Sequence, residues 1–270
     1  MSDRVFSGSI PDVYDDYLVP LIFEQYAVDL ARRSVALQPS SVLEVAAGSG
    51  VVTRAVAPVL GVGARYVVTD LNPPMLDRAR ARQPQDSRID WRPADALDLP
   101  FPDETFDLVL CQFGVMFFPN RVRAYQEAHR VLRPGGSFLY NMWDRIETNE
   151  FADVVTNSLA EVFPDDPPQF LARTPHGHHD QTVYRRELID AGFGEITVDS
   201  VSALSGARNP SEPATAYCQG TPLRNEIEER KGPGLEESTS IVSDAIRERF
   251  GDGPVEGQIQ GFVIHALRAP

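Results

Sequence analysis

Lysine is almost missing from this chain of 270 residues: Lys231 stands alone, and arginine supplies the rest of the 25 basic side chains. Positive charge is short as well, with 25 Lys+Arg against 39 Asp+Glu and a formal net charge of −14. A polyanion would meet net repulsion from such a surface, so nucleic acid is not expected as a partner. Cysteine is scarce. Cys111 and Cys218 lie far apart with no CxxC pair, which leaves no disulfide scaffold or cysteine zinc site and suits a reducing, cytoplasmic location. Long apolar runs are absent: the most apolar stretch, Phe106 to Phe118, is broken by Asp107 and Gln112, so no membrane span is expected. The start of the chain, Met1-Ser2-Asp3-Arg4-Val5-Phe6-Ser7, has no basic segment followed by an apolar one, and no signal peptide is expected.

What is present is the balance of a globular protein, 42% hydrophobic and 24% charged, sufficient for a real core. At roughly 150 residues per domain, the length fits one large domain or one domain with an elaboration. From Ser41 onward, apolar runs of strand length alternate with helix-like stretches. Residues 41–46, 65–69, 88–92, 106–112 and 137–142 are rich in Val, Leu, Ile and Phe, and residues 51–60, 73–83 and 121–132 between them have helical spacing. Repeated units of this kind predict an α/β fold with a doubly wound, mostly parallel sheet covered on both faces. Residues 1–40 read as N-terminal lid helices, 41–142 as the core, 143–183 as a loop-rich, proline-containing cap insertion and 184–205 as a core helix and strand. Residues 206–257 read as a second, helical cap insertion, and 258–270 as the last core strand.

The most informative segment is Val42-Leu43-Glu44-Val45-Ala46-Ala47-Gly48-Ser49-Gly50, a buried strand running into a glycine-rich turn that opens a helix. Such a turn lets a ligand approach backbone amides and a helix N-terminus without side-chain obstruction. The second strand ends in Thr69-Asp70, 20 residues beyond Gly50, where a carboxylate can accept hydrogen bonds from both hydroxyls of a ribose. The third ends in Ala94-Asp95-Ala96, the fourth leads into Gln112-Phe113-Gly114, and Leu132-Arg133-Pro134-Gly135-Gly136 turns tightly before the fifth. A nicotinamide-dependent enzyme would share the acidic residue after the second strand. Against that reading, Gly48-Ser49-Gly50-Val51-Val52-Thr53 lacks the third glycine of G-x-G-x-x-G.

This order of motifs resembles the class I S-adenosylmethionine-dependent methyltransferases, in the small-molecule group that includes the ubiquinone and menaquinone biosynthesis enzymes. The resemblance is strong over about residues 40–142. The family's acidic-x-Gly-x-Gly-x-Gly pattern falls on Glu44, Ala46, Gly48 and Gly50, with alanine in place of the first glycine. The resemblance implies a seven-stranded sheet with an antiparallel last strand, S-adenosylmethionine as cofactor and S-adenosylhomocysteine as product. It implies further that Asp70 holds the ribose, Leu71 and Met75 pack on adenine, Asp95 and Ala96 bind its amino edge, and Gln112 lies near the methionine moiety. Tyr14, in Val13-Tyr14-Asp15-Asp16-Tyr17, would reach the cofactor carboxylate.

For the acceptor the residues say less. Phe113, Phe117 and Trp143 follow the fourth and fifth strands, and with Tyr17 and His178 they are expected to line a pocket for a small apolar or aromatic molecule. His179, in His176-Gly177-His178-His179-Asp180, is the candidate base, with Asp180 beside it in sequence to bias its charge. No metal is expected. Transfer to oxygen or carbon by a single in-line displacement is the expected reaction. A polyprenyl-quinone ring C-methyltransferase and a non-catalytic cofactor-binding regulator are the alternatives, and the chain is expected to be a monomer or homodimer.

Overall fold

The computed structural model describes residues 10–270; the first nine residues of the expected lid lie outside the described residues. Helix α1 (Ile10–Val13) continues as a π-helical segment (Tyr14–Phe23) that contains Pro20, and then as α2 (Glu24–Ala36). A proline removes one amide donor from a helix interior, and the wider π turn accommodates that loss. Strand β1 (Ser41–Glu44) leads into α3 (Val51–Val56), β2 (Arg65–Asp70) into α4 (Pro73–Arg82), and β3 (Ile89–Pro93) follows. Then come β4 (Phe106–Cys111), α5 (Arg121–Val131) and β5 (Leu132–Trp143).

The seven strands form one sheet in the order β3-β2-β1-β4-β5-β7-β6, with β6 spanning Glu195–Ala207 and β7 Val255–Leu267. Strands β1 to β5 pair in parallel. Across β5 and β7, Gly135 donates to Arg268 while His265 meets Ser137, so residue numbers run in opposite directions and β7 is antiparallel. The order steps outward from β1 to β3, then reverses to run from β4 to β5. With right-handed crossovers, that reversal puts helices on both faces of the sheet. Val42, Leu43, Val67, Val68, Leu108, Val109 and Leu110 are fully buried, as strands covered on both faces require. The fold is the doubly wound, mostly parallel seven-stranded sheet that the sequence predicts.

The chain divides into two compact units. One holds Glu24–Met142, Asp180–Ser200 and Phe262–Pro270; the other holds the described residues up to Phe23, Trp143–His179 and Val201–Gly261. In the first, α2 packs on α3, and α5 packs on α8 (Gln181–Asp190). The second is largely helical: α6 (Glu150–Val162), α9 (Ser211–Gln219) and α11 (Leu235–Phe250) pack together, with α9 also on the π-helical segment and on α10 (Leu223–Glu229).

Three sequence expectations need correction. Residues 143–183 are more than loop: α6 and the short α7 (Phe170–Arg173) lie there, because Phe151, Val154, Val155 and Leu159 form an apolar stripe at helical spacing that the later prolines mask. Strands β6 and β7 exceed their expected ranges. Finally, Arg133 to Gly136 form a bulge inside β5: Phe106 pairs with Leu132 and Leu108 with Ser137, so the register shifts across the two glycines. Gly135 has φ 78°, and a Cβ at Gly136 would meet the Arg133 carbonyl oxygen at 2.8 Å.

Candidate functional site

The carboxyl ends of β1 and β4 lie at the reversal of strand order, the place where open α/β sheets bind ligands. Beyond β1 the backbone leaves the extended region at once. Ala46 has φ 52°, Gly48 56° and Gly50 82°, so three residues in five occupy left-handed space, which only glycine enters without cost. Gly50 is also a close-approach position: a Cβ there would stand 2.8 Å from that of Ala79 on α4. Across the β1–β4 boundary, Phe113 has φ 49°, and a Cβ at Gly114 would lie 2.7 Å from the Ala46 Cβ and 2.8 Å from Cys111 Sγ. Two non-glycine residues in a strained conformation therefore flank one glycine at the switch point.

Asp70 closes the end of β2. Its Oδ2 accepts from the Gly48 amide at 2.8 Å and its Oδ1 from the Asn72 amide at 2.7 Å, so one carboxylate ties the glycine turn to the next strand. Burial raises its pKa above the usual carboxylate value, and the amides of Asn72 and Gly48 pull it back. Next to it Leu71 is 51% exposed while Met75 is buried; the Met75 methyl lies 3.8 Å from where a Gly48 Cβ would be. Asp95 follows β3 in a tight turn, its Oδ1 accepting from the Leu97 amide at 2.9 Å, with Ala96 buried beside it. Neighbouring strands are about 4.8 Å apart, so the glycine turn, Asp70 and Asp95 mark out a row of roughly 10 Å, the length of a nucleoside.

Glu44 sits below this row. Its Oε2 accepts from Thr53 Oγ1 at 2.7 Å and from the Tyr66 hydroxyl. Burial raises its pKa to about 7 against the two hydroxyl bonds. Its carboxylate thus braces β1, β2 and α3 from within. Gln112 is half-buried just after β4, Phe113 is buried edge-on to Tyr26 with ring centroids 5.0 Å apart, and Phe117 is half-buried on the turn after it.

The remaining candidates belong to the other unit. Tyr14 stacks on Phe23 at 5.3 Å, Phe23 meets Trp143 at 6.1 Å, and Trp143 meets His176 at 5.9 Å. Tyr17 is exposed, and His178 and His179 are half-buried. His179 donates through Nδ1 to the His176 carbonyl at 2.9 Å, and His176 through Nδ1 to the Asp144 carbonyl at 2.8 Å. Since a carbonyl only accepts, each neutral ring holds its proton on Nδ1 and keeps its lone pair on Nε2. Burial pushes the His176 pKa down to about 4. The sequence passes over His176 and its support: the Asp144 carboxylate accepts from Gln260 Nε2, and Asn149 exchanges two bonds with the Gln260 backbone. No spacing rule links residues more than a hundred positions apart. Asp180, expected to bias His179, caps α8 by accepting from the Thr182 amide and hydroxyl. Among the described residues no cluster of His, Cys, Asp or Glu could hold a metal ion, and no helix is long and apolar enough to cross a membrane.

Residues 43–140 match the family model described as a methyltransferase domain. The chain is 33% identical over 171 residues to the ubiquinone/menaquinone biosynthesis C-methyltransferase of Neisseria meningitidis serogroup C, covering 60% of this chain and 70% of that one. It is 27% identical over 198 residues to the enzyme of the same name from Hydrogenovibrio crunogenus, covering 67% and 76%. Among solved structures, a Bacillus halodurans C-125 protein classed as a methyltransferase superposes with TM-score 0.59 at 21% identity, over 90% of this chain and 99% of that chain; that likeness is one of fold.

Proposed function

The chain belongs to the S-adenosylmethionine-dependent methyltransferases, and from that premise we propose that it methylates oxygen or carbon of a small apolar or aromatic acceptor by a single in-line displacement. The observation that carries the proposal is the buried Asp70 carboxylate, fixed by the Gly48 and Asn72 amides at the centre of a nucleoside-length row. The residues present fit the cofactor. Gly48 and Gly50 leave the turn without side chains, Asp70 has lone pairs left for ribose hydroxyls, exposed Leu71 offers an apolar face to adenine, and Asp95 with Ala96 lies at the row's far end. Bound S-adenosylmethionine supplies a methyl group already activated on a sulfonium.

The protein's task is then chiefly alignment and exclusion of water. Alignment of two bound reactants can lower a barrier by roughly 7–11 kcal/mol, whereas a positioned base contributes about 10²–10⁴-fold. Phe113 and Phe117 are proposed to face the acceptor. Where the acceptor is a phenol or an acidic carbon, His179 is proposed to take its proton on Nε2, the His176 carbonyl fixing the tautomer from the opposite side of the ring. Transfer to a quinone ring carbon is the second reading, favoured by the C-methyltransferases that this chain resembles over more than half its length.

Titration calorimetry with S-adenosylhomocysteine tests the cofactor half. The wild type is expected to bind, and Asp70→Ala to bind at least about tenfold more weakly, the loss of a charge-assisted hydrogen bond. Equal affinities remove Asp70 from the ribose. His179→Ala is expected to bind S-adenosylhomocysteine normally and to form it from labelled donor more slowly at saturating acceptor; an unchanged rate removes His179 as base.

A further inference from the structure

Asn141 is fully buried, and neither its Oδ1 nor its Nδ2 has a hydrogen-bond partner among the described residues. Its neighbours along β5, Leu139, Tyr140 and Met142, are large and apolar, and a leucine at 141 would continue that pattern at no cost in desolvation. A buried carboxamide with both ends unpaired is expensive to keep. The simplest reason for retaining it is a partner that the described residues do not supply.

The geometry says where that partner lies. Phe138 and Tyr140 place their rings against Tyr125 of α5, with centroids at 6.0 and 5.6 Å, so strand alternation turns Asn141 to the opposite face. Cys111 pairs with Tyr140, which sets Asn141 level with Gln112, at the carboxyl edge of the sheet where ligands bind. Strand β5 is beyond β4 as counted from the strands that carry Asp70 and Asp95. Asn141 therefore stands at that edge away from the row assigned to the nucleoside, level with the segment after β4 whose Phe113 and Phe117 are proposed to face the acceptor.

A carboxamide presents an acceptor and two donors side by side. The group that satisfies both ends presents a donor and an acceptor side by side, as in a primary amide, a carboxylic acid or a hydroxyl next to a carbonyl. We propose that Asn141 binds the methyl acceptor, pairing its carboxamide with such an adjacent donor and acceptor on an otherwise apolar or aromatic molecule. This rests on the methyl-transfer reading above and narrows its substrate class.

Wild type, Asn141→Leu and Asn141→Ala, each saturated with S-adenosylhomocysteine, are titrated by ligand-observed NMR with benzamide, acetophenone and ethylbenzene. These probes present both hydrogen-bonding edges, the acceptor edge alone, and neither. The wild type is expected to bind benzamide at least about tenfold more tightly than ethylbenzene, with acetophenone between, and both variants are expected to lose that order. The same order in wild type and variants, or no binding of any probe, overturns the proposal. Thermal melting without ligand supplies a second arm. At least one variant is expected to melt at or above the wild-type temperature. A fall of more than about 4 °C in both, as loss of a structural partner or a bridging water would give, overturns it as well. Calorimetry with S-adenosylhomocysteine separates the two readings: failure of the wild type to bind it refutes the methyl-transfer reading, whereas normal binding with no discrimination among probes refutes only the role of Asn141.

Discussion

Two buried ionisable residues pull the stability of this protein in opposite directions with pH. Glu44 has its pKa raised from 4.5 to about 7, chiefly by burial. Its proton is held more tightly in the folded state, so the stability it contributes is complete below about pH 4.5 and lost as pH rises through 7. His176 has its pKa lowered from 6.5 to about 4, again chiefly by burial. Its contribution is complete above 6.5 and lost as pH falls through 4. Each shift corresponds to about 3 kcal/mol, and between pH 4.5 and 6.5 the two slopes oppose. Urea unfolding across pH 4–8 is expected to show Glu44→Gln with stability that rises with pH and His176→Gln with stability that falls; parallel curves for both variants contradict the assignment. Ala46 offers a separate test of strain. Its φ of 52° is unfavourable for a side chain, so Ala46→Gly is expected to stabilise by about 0.5–1 kcal/mol in the same assay. A loss of stability would mean that the Ala46 methyl makes a packing contribution larger than the strain.

At the scale of elements, α5 and α8 are joined by a fork. Arg121 Nε and Nη2 donate to the two oxygens of Glu187 at 2.8 and 2.6 Å, with both side chains largely buried. Bidentate, partly desolvated pairs are stronger than surface ion pairs. A double-mutant cycle with Arg121→Ala and Glu187→Ala is expected to give a coupling of about 1–2 kcal/mol, where an exposed pair would give about 0.5 or less. The same helices begin on side-chain caps: Asn120 accepts from the Arg123 amide at the start of α5, and Asp180 from the Thr182 amide at the start of α8. Asp180→Ala is expected to lower stability by about 1 kcal/mol. The histidine-rich segment just before it can then be mutated separately, which distinguishes a cap from a charge partner for His179.

At the scale of the whole molecule, ligand binding and composition set the measurable behaviour. A ligand that binds only the folded state stabilises it by RT ln(1 + [L]/Kd), about 2.7 kcal/mol at a hundredfold excess over Kd. S-adenosylhomocysteine at that concentration is expected to raise the melting temperature, and to slow amide exchange at residues 46–50, 70–75 and 94–97 more than at the surface of α11. Uniform slowing over the whole chain would argue against a site on the glycine row. The net charge of −14 predicts that this stabilisation varies little with added nucleic acid, since the polymer is repelled rather than competing.

The sequence by itself determined the parallel sheet, because strands buried on both faces must be nearly continuous apolar runs, and Val42-Leu43, Tyr66 to Val68 and Leu108 to Leu110 fit no other use. The proposed cofactor row was legible too, because Gly48, Gly50, Asp70 and Asp95 stand at or just beyond strand ends, at spacings that can be read along the chain. Helix α6 escaped because its stripe lies in a proline-rich neighbourhood, and the bulge in β5 escaped because Gly135-Gly136 reads equally as a turn between elements. Only the tertiary structure decided the rest: that Glu44 turns inward to Tyr66 and Thr53, that His176 is the buried histidine of its cluster, and that Asn141 has no hydrogen-bond partner among the described residues. Those outcomes depend on which side chains meet across tens or hundreds of residues, and chain spacing carries no record of contacts that only packing brings together.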